Sequence, residues 1–509
     1  MTARPNIVLI QADQLAAAAL GAYGNAVVRS PHLDALAADG ITFDRAYCNS
    51  PLCAPSRASM MTGQLPSQIG AYDNGADFPA SVPTFAHHLR SAGYATTLVG
   101  RMHFIGPDQL HGFEERLTTD VYPAGLDMVP DWDLPGEERL PWYHEAGSVF
   151  TAGTSRATVQ QDFDDEVLFR SLRHLNDRAR ADDGRPFLLV SSFIHPHDPY
   201  EPPVEHWNRY EGVEIDDPRV TLEDLGTLDP HSARLQQMSG FDVKVPDADQ
   251  VRRARRAYYA CVSYVDDHVG KIVQRLEDLG LRDDTVVIVT SDHGDMLGER
   301  GLWYKMSPFE QSSRVPLIVN APTRFAPRRV DDPVSLIDVL PTLVELASGE
   351  PVAGPGRSLV GELEDERPVL IEYLAEGTTR PQVTVVRGRH KYVRCPGDPD
   401  QLYDVVADPD ELVDLAGDPA HAGLLGELRA EVAARYDLSG LERDVRQSQA
   451  RRRVVHRALA TGRATDWDHQ PPVRADYVRG DFWSALERGR LPGPEGDAGP
   501  VRATRASAS

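Results

Sequence analysis

The feature that most constrains this chain is an alternation of compact apolar runs with longer amphipathic stretches. Residues 7–10, 95–99, 187–193, 285–290 and 316–319 are short apolar or β-branched runs, the pattern of strands buried on both faces. Between them, residues 32–38, 84–92, 162–177 and 247–279 place apolar side chains at helical spacing. Alternation of this kind over residues 1–350 predicts an α/β domain with a mostly parallel sheet flanked by helices. In such a sheet ligands collect outside the carboxyl ends of the strands. The residues that follow each run are therefore where chemistry is to be sought.

A Gly- and Pro-rich stretch at 348–357 reads as a boundary. Beyond it, residues 368–373, 382–386 and 390–393 suggest antiparallel strands, followed by a helix at 422–436, which predicts a smaller α+β domain over 351–440. Residues 441–509 form a third region. It opens with a basic helix at 441–460 containing Arg451, Arg452 and Arg453, read either as a solvated face or as an oligomer contact. After Leu491 the chain is mostly Gly, Pro, Ala and Ser, for which disorder is expected.

Lys and Arg number 53 against 77 Asp and Glu, a net charge of −24. A field of that sign argues against nucleic acid and anionic membranes as partners. It also disfavours a polyanionic substrate but tolerates one that carries its own cation. The four cysteines are too few and too scattered for a disulfide framework, and Cys48, Cys261 and Cys395 read as small buried hydrophobes. With no apolar leader before the first strand and no long apolar run, the expectation is a soluble, cytoplasmic protein.

Four strand ends carry reactive side chains. Asp13 and Gln14 follow the first run, Arg101 and His103 the second, His195, His197 and Asp198 the third, and Asp292, His293 and Asp295 the fourth. One such set alone is usually a helix cap or a hydrogen-bonded imidazole; four on one sheet edge point to a site. Asp13, Gln14, Asp292 and His293 would suit a divalent cation, the oxygens favouring Ca²⁺ or Mg²⁺ and the imidazole drawing the preference towards Mn²⁺. Arg57, Arg101, His103, His197 and Lys305 would supply the charge and donors that an oxyanion needs. Cys53, ahead of a helix and near Arg57, is expected to be a reactive thiol of lowered pKa; the plainer alternative is a buried one.

The stretch Cys53-Ala54-Pro55-Ser56-Arg57, followed by small residues and Thr62-Gly63, resembles the signature of the formylglycine-dependent sulfatases. Family positions recur in order from Asp13 to Lys305. The resemblance implies an alkaline-phosphatase-like α/β fold and oxidation of Cys53 to formylglycine by a formylglycine-generating enzyme. It also implies a cation held by Asp13, Asp292 and His293, with Gln14 and the modified Cys53 against it, Ca²⁺ first and Mn²⁺ as the alternative. Asp13-Gln14 and Asp292-His293 depart from the commoner Asp-Asp and Asp-Asn, in the manner of the choline-sulfatase and phosphonate-monoester-hydrolase branch. Arg57 would hold the hydrated aldehyde, and His103, His197 and Lys305 resemble sulfate-pocket residues. Arg101 stands where the family usually has Lys; its guanidinium keeps the charge but gives up no proton, so its role is binding.

Residues 49–63, 83–87, 103–117, 195–200, 301–306, 314–316 and 451–468 resemble the choline-sulfatase branch. The substrate implied is choline-O-sulfate, whose quaternary ammonium needs aromatic faces and a carboxylate. Trp132, His144 and Glu376 resemble the choline-contact region, although Trp132 is also what a packed loop would contain, and Asn74 could donate a hydrogen bond near the sulfate. The expected mechanism is attack on sulfur by the hydrated aldehyde, with His197 as general acid, Lys305 second to it, and His103 as the later base. The rivals are an arylsulfatase or phosphonate/phosphate-ester hydrolase on the same scaffold and, in a different class, a non-catalytic osmolyte-binding protein, which the Cys53 motif disfavours. A homo-oligomer is expected.

Overall fold

The computed structural model describes residues 4–121, 126, 129–134, 146–181, 183–349, 352–361, 363, 367–378 and 380–462. The tail after Leu491, expected to be disordered, lies outside the described residues.

Fifteen strands among these residues form three sheets. The central one contains β1 (Asn6–Asp13), β2 (Ile41–Phe43), β4 (Ala95–Gly100), β5 (Glu115–Arg116), β6 (Phe187–Pro196), β7 (Thr285–Ser291), β9 (Leu317–Asn320) and β10 (Arg328–Val330). Their order is β10-β2-β9-β7-β1-β6-β4-β5. β1 lies in the middle, parallel to β6 on one side and β7 on the other. Only β9, antiparallel to both β2 and β7, runs against the rest. The sheet is therefore mostly parallel, and the run at 316–319 is its reversed strand. A strand's sequence shows that it is buried but carries no mark of its direction.

Successive β1 side chains go to opposite faces, as strand geometry requires. Val8 and Ile10 join a core with Tyr258, Val262 and Val265 of the helix Ala248–Asp278. Ile7 and Leu9 join a second core with Met60 and Met61 of the helix Cys53–Thr62 and Leu89 of the helix Phe85–Ser91. The sheet is thus covered by helices on both faces, which is why its strands read as unbroken apolar runs. The helix Ala248–Asp278 starts where its capping box begins, with Asp247 accepting from the Gln250 N–H.

β3 (Ala46–Tyr47), β8 (Arg314–Val315) and β11 (Val334–Ser335) make a small second sheet. β12 (Val369–Tyr373), β13 (Gln382–Arg387), β14 (His390–Arg394) and β15 (Gln401–Asp404) form an antiparallel sheet, covered by Leu425, Leu428 and Val432 of the helix Ala422–Arg435. Lys391 fastens this sheet to the larger body, its Nζ lying 2.6 Å from Glu310 and 2.9 Å from Glu411.

The basic helix, Leu438–Leu459, turns back onto the molecule. Leu441 and Val445 pack on Trp132 and Leu374, Arg452 pairs with buried Asp73, and Arg453 pairs with Asp131 and Asp133. The arginine face expected to meet solvent or another subunit is thus, in part, an intramolecular contact.

Candidate active site

Cys53 begins a ten-residue helix in which every residue is buried. Pro55 is accommodated in its first turn, where a backbone N–H would have no helical partner. The Ala54 N–H is met by the Asn74 side-chain oxygen at 3.0 Å. Arg57 lies four residues on and so shares a face with Cys53. Its Nε donates to Asp292 (2.7 Å), its Nη2 to Asp13 (2.9 Å), and its Nη1 to the Arg101 carbonyl (2.6 Å) and Ser192 Oγ (3.0 Å). One guanidinium therefore ties together the ends of β1, β4, β6 and β7. That is the physical content of the Cys-x-Pro-Ser-Arg spacing.

Asp13 ends β1, and Gln14 after it adopts a left-handed backbone with φ of 65°. This conformation is unfavourable for a residue with a Cβ. The turn is held by the Gln14 N–H on Asp292 (3.1 Å), by its amide nitrogen on Asp295 (2.6 Å), and by the Lys305 ammonium on its amide oxygen (2.6 Å). The structure thus places the Gln14 oxygen, read with the cation ligands, on Lys305.

Asp13, Cys53, Asp292 and His293 each offer a ligand atom within 4.8 Å of the others, all buried. Cys53 Sγ is 3.2 Å from His293 Nε2 and 3.7 Å from Asp13. His293 Nδ1 faces the Gly294 carbonyl at 3.0 Å, which places the proton on Nδ1 and leaves the Nε2 lone pair pointing into the cluster. Two carboxylates, an imidazole lone pair and the group at position 53, enclosed together, fit a divalent cation.

Two further cationic side chains, Arg101 and Lys305, stand against the imidazoles of His103 and His197. Arg101 Nε is 2.8 Å from Asp13, and Arg101 Nη2 is 2.9 Å from His103 Nδ1. A guanidinium only donates, so His103 Nδ1 accepts and Nε2 carries the hydrogen; Nε2 is buried without a hydrogen-bond partner. His197 has the opposite tautomer. Its Nδ1 faces the Asp198 carbonyl at 2.6 Å and its Nε2 accepts from Lys305 at 2.7 Å.

Burial pushes the Asp13 carboxyl up, but Arg101 and Arg57 outweigh it and hold the group far below the usual carboxylate range. Burial lowers His103 and His197 well below 6.5, helped by Arg101 and Lys305 respectively, and it also lowers His293. The Cys53 thiol goes the opposite way from the sequence expectation. Burial, followed by the neighbouring Asp13, pushes it up to about 12. The lowering expected from Arg57 fails because that guanidinium is already committed to Asp13 and Asp292.

Asn74 is buried, with its side-chain nitrogen unpartnered. Glu376 is also buried; one carboxylate oxygen accepts from the Tyr373 hydroxyl at 3.1 Å and the other has no partner. Trp132 donates from its indole to the Ala375 carbonyl (3.3 Å), and its backbone N–H goes to Gln449 (3.0 Å). Its ring is packed in a cluster with Leu374, Leu441 and Val445, as the plainer alternative anticipated, and its indole reaches the carbonyl of the residue before Glu376. His144 lies outside the described residues. The sequence alone assigns no role to Ser192, Asp295 or Asp73, nor to Tyr200, whose hydroxyl donates to Asp295 at 2.7 Å. Asp295 had a signal, since it sits in a strand-end set, whereas the partner of Asp73 is 379 residues away. Among the described residues no helix is long and apolar enough to cross a membrane.

The sulfatase family model matches residues 5–349, that of the N-sulphoglucosamine sulphohydrolase C-terminal region residues 298–437, and that of the choline sulfatase C terminus residues 443–487. The choline-sulfatase of Rhizobium meliloti is 46% identical over 496 residues, covering 94% of this chain and 96% of its own. The arylsulfatase of Clostridium perfringens is 26% identical over 449 residues, covering 79% and 90%. Among solved structures, the phosphonate monoester hydrolase of Agrobacterium radiobacter aligns with a TM-score of 0.68 at 26% identity, covering 86% of this chain and 96% of the other.

Proposed function

The chain belongs to the sulfatase family and is a sulfuric ester hydrolase; from that premise we propose that its substrate is choline-O-sulfate, cleaved to choline and sulfate. The observation that carries this reading is Glu376, a buried carboxyl with one oxygen unpaired, next in the chain to the carbonyl that takes the Trp132 indole N–H. A quaternary ammonium has no N–H to donate and is recognised by carboxylates and aromatic faces. Likeness to the Rhizobium meliloti choline-sulfatase along 94% of the chain supports the same substrate.

Cys53, oxidised to formylglycine by a modifying enzyme, would supply the nucleophilic hydroxyl as its hydrate. A divalent cation held by Asp13, Asp292, His293 and the group at 53, with Ca²⁺ proposed and Mn²⁺ the alternative, would polarise the nucleophile and a sulfate oxygen. The remaining work falls to the chain itself. Arg57 keeps the two carboxylates in register, and Arg101 and Lys305 balance the sulfate charge. The choline alkoxide is a basic leaving group and needs an acid. From the sequence alone, His197 is the first candidate for that role. With its Nε2 accepting from Lys305 and its Nδ1 on a carbonyl, His197 orients the ammonium, and Lys305 becomes the donor we assign. His103, with its hydrogen on Nε2, is assigned as a donor to a sulfate oxygen in place of the base expected from sequence.

We further read the enzyme as cytoplasmic, supported by four buried cysteines of which none forms a disulfide. We read it also as a homo-oligomer, supported by Val454 and Val455 exposed on the C-terminal helix. Comparison of kcat/KM for choline-O-sulfate, an aryl sulfate and a phosphonate monoester tests the substrate. Choline-O-sulfate is expected to lead, and a lead for either of the others would establish the rival on the same scaffold. Mass spectrometry of the peptide spanning Cys53, from protein made in its native host, is expected to find the aldehyde.

A further inference from the structure

Two adjacent turns of the C-terminal helix Leu438–Leu459 are each attached to a different part of the site. Arg452 grips Asp73 with two hydrogen bonds of 2.7 Å, and Asp73 is fully buried. The same carboxylate accepts from the Gly75 N–H at 3.0 Å, so the pair fixes the turn that carries Asn74. The Asn74 oxygen meets the helix that begins at Cys53, while its nitrogen is left free in the interior. Three residues before Arg452, on the same face of the helix, Gln449 accepts the Trp132 backbone N–H at 3.0 Å. The Trp132 indole in turn donates to the carbonyl next to Glu376.

We propose that the C-terminal helix positions the substrate wall in two separable places: Arg452, through Asp73 and Asn74, sets the sulfate end, and Gln449, through Trp132, sets the choline end. The assignment of the two ends rests on the substrate reading above. Neither residue touches the reacting atoms, so both are positioning residues. The physical argument is the cost of an unpaired buried charge. Without Arg452 the Asp73 carboxylate loses its ion-pair partner and is drawn towards water, which shifts Asn74 relative to Cys53. Displacement of a positioned group by about 1 Å costs up to roughly a hundredfold in rate. Loss of the Gln449 oxygen leaves the Trp132 N–H unmet and loosens only the wall beside Glu376.

The test uses the full chain, with rates expressed per aldehyde-bearing site counted by mass spectrometry. Arg452→Met is expected to lower kcat/KM for 4-nitrophenyl sulfate about tenfold or more, and for choline-O-sulfate by at least as much, because the Asp73 charge also acts on Glu376, and Arg452→Lys to recover part of the loss. Gln449→Leu is expected to raise KM for choline-O-sulfate and leave the aryl sulfate unchanged. If these variants shift only the melting temperature, with kcat/KM per site at the wild-type value, the helix is a structural brace and the proposal is wrong. If Gln449→Leu affects both substrates alike, the division into two ends is wrong. A wild-type enzyme that prefers the aryl sulfate would refute the choline reading instead, and the Arg452 variants would still be judged on that substrate.

Discussion

Glu376 shows what burial does to a single residue. Burial, with the neighbouring Asp73 adding to it, pushes the carboxyl up to about 8, while Tyr373 and Lys305 oppose the shift. Near neutral pH the acid is therefore held largely protonated, and only the ionised form attracts a cation. KM for choline-O-sulfate is expected to fall as pH rises towards and through about 8, and a neutral-headed aryl sulfate is expected to lack that limb; identical profiles for the two esters would contradict the assignment. The stability effect has the opposite slope. A carboxyl whose folded value exceeds the unfolded 4.5 binds more protons in the folded state, so stability is lost as pH climbs from about 4.5 through 8. Glu376→Gln stays neutral throughout. It should therefore melt higher than the wild type at pH 8 while raising KM for choline-O-sulfate by roughly tenfold, the equivalent of about 1.4 kcal/mol.

At the scale of elements, the site depends on how closely β4 and β6 approach. Gly100 ends β4 with φ of +102°, and a Cβ there would lie 1.9 Å from the Ser192 carbonyl oxygen. Ser192 also takes an Arg57 hydrogen bond, and Arg101 follows directly. Gly100→Ala should lower stability by about 3 kcal/mol and disturb Arg101, measured as a lower melting temperature together with reduced kcat/KM; an unchanged melting curve would mean that the strands are not so tightly set. The long elements were legible because burial on both faces leaves continuous apolar runs, and a one-sided helix leaves a 3.6-residue period. The two- and three-residue strands, from β2 to β11, are too short to hold a period, and the four residues of β15, half-buried at both ends, make no continuous apolar run. The residues at the strand ends were legible because the fold gathers them on one edge. The direction of the Cys53 shift was not, since it depends on sealing by helix, sheet and loops far apart in sequence. The Arg452–Asp73 pair likewise leaves no local trace.

For the whole molecule, the cluster of Asp13, Cys53, Asp292 and His293 joins both halves of the central sheet to the helix Cys53–Thr62. An ion bound there would therefore act on global stability as well as on rate. Chelation should lower the melting temperature, and added Ca²⁺ should restore it in a concentration-dependent way, by about 2.7 kcal/mol at a hundredfold excess over Kd. A larger increment with Mn²⁺ would decide for that metal, and Asp13→Asn should abolish the increment with either. The burial of the ten-residue helix that starts at Cys53 has a further consequence, for the order of events in biosynthesis. A thiol enclosed on every side is out of reach of any oxidising catalyst once the chain has closed over it. The side chain is accessible only while the segment is still extended, on a nascent or unfolded polypeptide. On the proposed oxidation of Cys53, folding would set a deadline, and chains that folded first would be stable but without the proposed nucleophile. The yield of active protein would then be decided by a race between two rates, which equilibrium stability does not report.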